Sequence, residues 1–550
     1  EADLDWMNPN SWTADASLGY RDILKINYTG WALWRNYNHF GLIGRVPPND
    51  KDPGGQYFTD DQDNRLSLVL KWPDRPYHFF MNLRQFEKDG TVQARFYEGT
   101  NVKGSRSRDI DWITRDLTAG INGHFGPVEA EYSHTAKTFD PHGQVSLVDT
   151  QNGAELHHSV VPQFDENLDS VKLHTDYTGR ISADAQYING ERENEHSLAE
   201  VNYQRGYGDF NFIPLPGLTM AVRYRYNNTT ETVPASVTVD NRTGFPKAPI
   251  NTNENKAEVA LRYSPLSLIA FKVEYSFDNK KRDNADLWSN QLLISQMILA
   301  PLGTIPSEQN IHKVTAGITS RPARWVDFKG TFEYAYTDDP AYPLDPKNSY
   351  KVRADANFMP LPELTSNVHY RYASGDNNQS AMQTNYDNPG VQAVWSPAGP
   401  VTLSANYDYF RYRIKRDVVL FGPGNVQFPV ERAPYTDQAH VYSVGGTYTF
   451  AIPLTADAEF YQSFGSGSFT VNETLGAFNT LDVGLLAGMA VRETGGRITG
   501  KYTLPRNWGL SLTYDINNYV DFKSNTLGGS QSGPQNGTAQ TVMIVASKKW

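Results

Sequence analysis

Few residue groups in this chain are spaced for chemistry. Gly495-Gly496-Arg497-Ile498-Thr499-Gly500-Lys501 has the spacing of a loop whose backbone amides cradle phosphates. Tyr502, however, stands where Ser or Thr is required, and the residues that follow read as a strand rather than a helix. Asp60, Asp61, Asp63 and Asn64 offer the oxygen ligands that Ca²⁺ takes, but without the turn glycine and distal glutamate of an EF-hand loop they read as a solvated loop. The 12 histidines are scattered, His157 and His158 adjoin in a connection, and no His-Glu-x-x-His pattern holds zinc. No Gly-x-Ser-x-Gly elbow presents a nucleophile. Cysteine is absent, which removes disulfides, thiolate catalysis, iron–sulfur ligation and the Cys-x-x-Cys-His attachment of c-type haem from this chain. The expectation is a protein with no catalytic, cofactor-binding or metal-ligating residue of its own, and not an enzyme.

A second group of chemically capable residues lies at alternate positions. Lys256, Glu258 and Arg262 face away from Ala257, Val259, Leu261 and Tyr263. Lys272 and Glu274 alternate with Phe271, Val273 and Tyr275. Lys351, Arg353 and Asp355 alternate with Val352, Ala354 and Ala356, and His369 and Arg371 with Val368, Tyr370 and Tyr372. These ten ionisable residues are the candidates for a charged surface that touches a partner.

The elements that carry them are strands, because the apolar residues recur with period two. Each pair is joined by a short turn, such as Ser264-Pro265-Leu266-Ser267 or Met359-Pro360-Leu361-Pro362-Glu363, which makes a hairpin with one apolar and one charged face. Between pairs lie longer polar connections around 139–166, 229–254, 279–310, 413–437, 464–490 and 523–537. A sandwich or propeller would also use many strands, but these run to roughly 10–12 residues, longer than the usual five or six and suited to crossing a bilayer at a tilt. Short turns alternating with long loops match an outer-membrane barrel, whose turns are periplasmic and whose loops are extracellular. Tyr and Phe gather near strand ends, and the chain closes on an amphipathic strand ending at Trp550, a close relative of the terminal Phe common in such barrels.

The fold expected is therefore all-β: one large antiparallel transmembrane barrel of about 22–26 strands over residues 31–550, preceded by a periplasmic segment over 1–30. No apolar stretch is long enough for a membrane helix, the one around Leu287–Leu302 being short and interrupted by polar residues. The location implied is the bacterial outer membrane, reached as a mature chain after removal of a leader, with lipid around it. A net charge of -11 argues against nucleic acid as a partner.

A barrel of this size has a lumen too wide to fill with its own side chains, and the strand rhythm leaves no stretch for a plug domain. The repeated phrase of alternating strand, Pro-containing turn and strand ending in Tyr-x-Tyr or Tyr-x-Phe before a charged loop recurs at Val259–Asp283, Val314–Asp339, Val352–Asp376, Val394–Arg416 and Arg497–Asp521. In this it resembles the MtrB/PioB family, the porin-like members of porin–cytochrome electron conduits. The resemblance implies a barrel that encloses a periplasmic multihaem c-type cytochrome and often docks a second one on its external face. Haem would belong to the partner, and the ten ionisable residues would be its contact surface in the lumen. Some members carry an N-terminal Cys-x-x-Cys that is absent here, which leaves the chain no redox role. The alternative is a general or substrate-selective diffusion porin, in which the same residues line water.

Overall fold

The structure is a computed structural model and describes residues 2–37, 49–50, 52, 55–98, 101–151, 154–177, 179–239, 242–246, 248–285, 305–342, 345–421, 427–469, 489–505, 508–522 and 536–548. The apolar stretch 287–302 and Trp550 lie outside the described residues. The wall is a ring of 24 antiparallel strands, nearly closed, in which each strand bonds its sequence neighbour in the wall. It runs from Ala2–Asn8 to Gly537–Lys548, and these two lie side by side. A short strand, Asn49–Asp50, joins the same sheet through a parallel contact with Asn101–Phe125. The hairpins Leu147–Gln151 with Ala154–His158, and Val237–Val239 with Arg242–Gly244, stand in the connections; His157 and His158 belong to the first of them.

Residues 1–30, expected as a periplasmic segment, supply wall instead. Ala2–Asn8, Ser11–Tyr20 and the start of Leu24–Tyr37 are hydrogen-bonded in sequence order. The alternation there is muted because small residues occupy it: Ala14 lies opposite Leu4, and Ala16 opposite Tyr28.

Cross-strand partners share a face, so the register sorts the side chains. Val222, Val259, Tyr275, Val314 and Tyr334 form one continuous row over five strands. Arg223, Glu258, Ser276 and Lys313 form the adjoining row on the opposite face. Val259 is 44% exposed and Glu258 only 9%. The convex face is therefore apolar and open while the concave face is polar and sheltered, which requires lipid outside and a polar lumen inside. A slip of one residue in any strand would exchange the two faces.

Two girdles bound the apolar band. At the short-turn end Trp72, Trp325, Trp395 and Trp508 are exposed. At the other end seven tyrosine hydroxyls reach diagonally to a polar residue on the next strand. Tyr28 donates to Asn64 at 2.7 Å, Tyr132 to Asp169 at 2.7 Å, Tyr224 to Asn255 at 2.6 Å, Tyr334 to Asn348 at 3.1 Å and Tyr370 to Asp387 at 3.2 Å. Tyr275 and Tyr407 meet Nδ1 of His312 and His440 at 2.8 and 3.0 Å. In every pair the polar group sits two residues beyond the tyrosine's register mate, toward the long connections. The ring marks where the outer face turns from lipid to water, since a buried ring with a wet hydroxyl suits that boundary. Six to nine residues of tilted strand separate the girdles, Leu66 to Trp72, Pro389 to Trp395 and Trp325 to Tyr334, in keeping with the apolar band of an outer-membrane barrel.

Much of what reads as long connection in the sequence is strand that rises above this band. Tyr77–Glu98 and Asn101–Phe125 are 22 and 25 residues long, and Val401–Phe421 stays paired with Gln427–Thr449 out to Phe421 opposite Gln427. Above the membrane both faces meet water, so the period of two disappears from the sequence while the ladder continues. The same alternation disposes of two motifs. Asp61 and Asp63 point to the inner face of Tyr57–Lys71, while Asp60 and Asn64 take the outer one, so the four side chains do not converge. The glycine-rich segment 495–501 lies within the paired strand Met489–Leu504.

Candidate functional site: the charged lumen wall

All ten ionisable residues singled out in the sequence occupy the inner face of one arc. Thr252–Leu266 carries Lys256, Glu258 and Arg262; Ile269–Arg282 carries Lys272 and Glu274. Asn348–Leu361 carries Lys351, Arg353 and Asp355; Leu364–Asn377 carries His369 and Arg371. Within the first pair of strands Arg262 is opposite Lys272, and within the second Arg353 is opposite Arg371 and Asp355 opposite His369.

The two groups do not touch directly, because Glu308–Ala323 and Val326–Thr337 lie between them. Lys313 and Glu333 bridge the gap, and the sequence reading does not single them out, although Lys313 precedes Val314 and Glu333 stands between Phe332 and Tyr334 in the same alternation. Lys351 and Lys313 approach Glu333 at 2.8 and 3.9 Å. Lys256 pairs with Glu258 at 3.0 Å and Lys272 with Glu274 at 2.8 Å, each two residues along one strand. Arg223 pairs with Asp209 at 2.7 Å one strand further back. Ion pairs this exposed contribute at most about 1 kcal/mol each; what they fix is the position of charge along the wall.

The inner face of the arc before this one is also charged but carries aromatics. Trp112 and Phe139 rings lie 6.1 Å apart, Phe139 and Phe164 5.5 Å. Arg192 and Lys137 sit over Phe164 at 5.0 and 5.9 Å, and Arg205 over Tyr203 at 4.6 Å. Their signal was present but faint, because in these strands lumen positions are themselves partly apolar. Asp63 is buried there and receives Arg65 at 2.8 Å and Arg84 at 3.0 Å. The site as a whole offers a broad polar and cationic surface for binding. No three His, Cys, Asp or Glu among the described residues are grouped to hold a metal ion.

No family model and no curated protein sequence matches the chain. Solved structures do. The FrpB iron transporter from Neisseria meningitidis is similar at a TM-score of 0.50 and 9% identity, over 88% of this chain and 79% of that one. The ferric-catecholate import receptor Fiu from E. coli K12 has a TM-score of 0.49 and 9% identity, over 99% and 80%. The siderophore receptor PiuA from Acinetobacter baumannii has 0.47 and 10%, over 94% and 81%. The likeness at 0.50 spans most of both chains and concerns the wall, which agrees with the lipid-facing band and the two girdles. The chain is an outer-membrane β-barrel with a wide lumen lined by charge.

Proposed function

We propose that this barrel sheathes a multihaem c-type cytochrome in its lumen and positions it as a conduit for electrons across the outer membrane, as the resemblance to the MtrB/PioB family implies. The observation that carries the reading is the lumen itself: 24 strands enclose it, its wall is charged, and every described strand except the two-residue Asn49–Asp50 belongs to the wall or to a hairpin in a connection. A channel of that bore, left open, would let small solutes through the membrane; a folded polypeptide inside would close it. In this role the chain performs no redox or hydrolytic chemistry and holds no cofactor. It keeps the haem chain out of lipid, fixes its height and limits its contact with water. The long strands that rise above the apolar band give a second multihaem cytochrome a platform on the outside. The iron and siderophore compounds named for the structural neighbours are not carried over, because 9–10% identity extends to the wall and not to what the lumen admits.

The test is extraction of the tagged protein from native outer membranes in mild detergent, followed by haem staining and an absorbance spectrum. A co-purifying multihaem chain with a c-type Soret band in stoichiometric amount is expected. A colourless barrel that conducts ions strongly in planar bilayers would overturn the reading in favour of a porin.

A further inference from the structure

The inner wall is electrically uneven around its circumference. On the arc from Thr252 to Asn377, Arg353 and Arg371 lie directly opposite one another on adjacent strands. Like charges in that position repel, and no carboxylate within ion-pair distance relieves either of them among the described residues; the ion pairs of this arc go to other residues, Lys256, Lys351, Arg321 and His369 among them. Arg262 and Lys329 on the same face have no ion-pair partner either among the described residues, so the arc presents a surplus of cations.

Further round, the sign reverses. Asp457, Glu459, Glu493 and Asp515 point inward from Leu454–Phe469, Met489–Leu504 and Trp508–Asp521, with Glu459 opposite Arg497 and Arg497 opposite Asp515. Arg497 is committed to Asp515 at 2.8 Å and Lys501 to Asp457 at 3.1 Å. Across the seam the first two strands add Asp3, Asp5 and Asp15, with Asp3 opposite Asp15 and the exposed Leu4 and Trp6 on the other face. Asp5 Oδ1 is buried without a hydrogen-bond partner. Neither arc neutralises itself, although the whole chain carries a net charge of -11.

We propose that the lumen is electrically handed and holds its polypeptide occupant in one rotational setting, an acidic face of the occupant against the Arg353–Arg371 side and a basic face against the Glu459–Asp3 side. The inference rests on the sheath reading and adds the surface chemistry of the partner to it. Uncompensated like charges on each arc are costly in the empty barrel and become favourable once opposite charge docks against them, which selects one orientation out of those that fit sterically.

A photo-reactive phenylalanine analogue placed at Thr331, opposite Arg353, and separately at Thr541, opposite Asp515, tests this in cells. Cross-linked peptides are mapped by mass spectrometry, and the heat-dependent mobility of the barrel reports its folding; Thr319, opposite Lys329, and Thr13, opposite Asp5, serve as second positions if either variant fails to fold. The expected result is one occupant joined through net-acidic peptides at Thr331 and net-basic peptides at Thr541, with the Thr331 product falling at least tenfold in an Arg353→Glu/Arg371→Glu barrel that still folds. Cross-links to the same occupant through peptides of unsorted charge, or a Thr331 product unchanged by the reversal, would overturn the handedness and leave the sheath standing. No polypeptide captured at any position would overturn both.

Discussion

His369 Nε2 lies 2.9 Å from Asp408 Oδ1, although the two residues belong to strands that are not neighbours. The strand between them passes Gly390, which is opposite His369 on one side and Asp408 on the other. A Cβ at position 390 would stand 2.3 Å from both Asp408 Oδ1 and His369 Cε1. The missing side chain is what lets the imidazole and the carboxylate close over the backbone, and the contact ties Leu364–Asn377, the last strand of the cationic arc, to Val401–Phe421 two strands on.

Replacing that glycine separates the two groups at modest cost. The atoms that Gly390→Ala would meet are the far ends of side chains that can swing away, so the loss is that of one partly exposed pair, about 1 kcal/mol or less. Gly217 is a different case. Its φ of +82° belongs to the left-handed region, and a Cβ there would lie 2.6 Å from the backbone oxygen of Ser264. Gly217→Ala should cost about 1–3 kcal/mol and loosen the turn that follows Pro216. Urea unfolding of both variants in micelles should rank Gly217→Ala well below Gly390→Ala, and equal midpoints would contradict the geometric argument.

The fold was legible in the sequence where one face met lipid and the other did not. Val259 against Glu258, or Tyr370 against Arg371, announces a wall strand because burial in two different solvents enforces the period. The ladder from Ile414 to Phe421 was not legible, since Arg413, Lys415, Arg416 and Asp417 break the alternation while the backbone pairing continues, and the first two strands were obscured by Ala14 and Ala16. The site was half legible for the same reason: any charged residue alternating with apolar ones falls on the lumen face, so the ten candidates share it. Which of them meet depends on which strands intervene, and neither the bridge through Glu333 nor the reach of His369 past Gly390 to Asp408 is encoded in one strand's own residues.

The absence of cysteine makes the assignment of faces directly measurable, because every introduced thiol is unique. Glu258→Cys and Glu274→Cys should react with a charged, membrane-impermeant maleimide in liposomes, whereas Val259→Cys and Val273→Cys should stay unlabelled until detergent is added. The same labelling in native membranes should protect Glu258→Cys and Glu274→Cys if a polypeptide fills the lumen. Labelling of Val259→Cys in intact liposomes would show that the two faces of the wall are the reverse of this assignment.

The lipid face should also resist charge in a depth-dependent way. Leu512 lies in the middle of the apolar band, opposite Gly500 and Ile544, and is exposed. Leu512→Arg should destabilise the barrel by about 2–4 kcal/mol in vesicles, the cost of a cation near the midplane. Thr513→Arg, one residue along and turned to the lumen beside Asp515, should be close to neutral. Reversible unfolding in thin-bilayer vesicles separates the two, and a Thr513→Arg barrel as unstable as Leu512→Arg would be incompatible with an aqueous or polar lumen.

The connection after Val326–Thr337 is held by a carboxylate whose acid sensitivity can be worked out. Asp338 accepts the backbone amide of Asn310 at 2.7 Å and its Nδ2 at 2.8 Å, and also the amide of Asp339 at 2.7 Å. Burial alone would raise the Asp338 carboxyl, but these donors outweigh it and hold it below the ordinary aspartate value of 3.8. A depressed folded pKa means stability that is fully present above the unfolded value and lost as pH falls through the folded one. The tie between Asp338 and the head of Glu308–Ala323 should therefore persist through neutral and mildly acidic conditions and release only below about pH 4. Hydrogen exchange at the Asn310 amide, corrected for its intrinsic rate, should show high protection at pH 5–7 that is lost only as the pH falls below the ordinary aspartate value of 3.8. Asp338→Asn, whose uncharged side chain cannot titrate, should lower protection at pH 7 and flatten the profile; equal protection of the unmodified protein at pH 7 and below pH 3 would mean that the carboxylate is not what holds this connection.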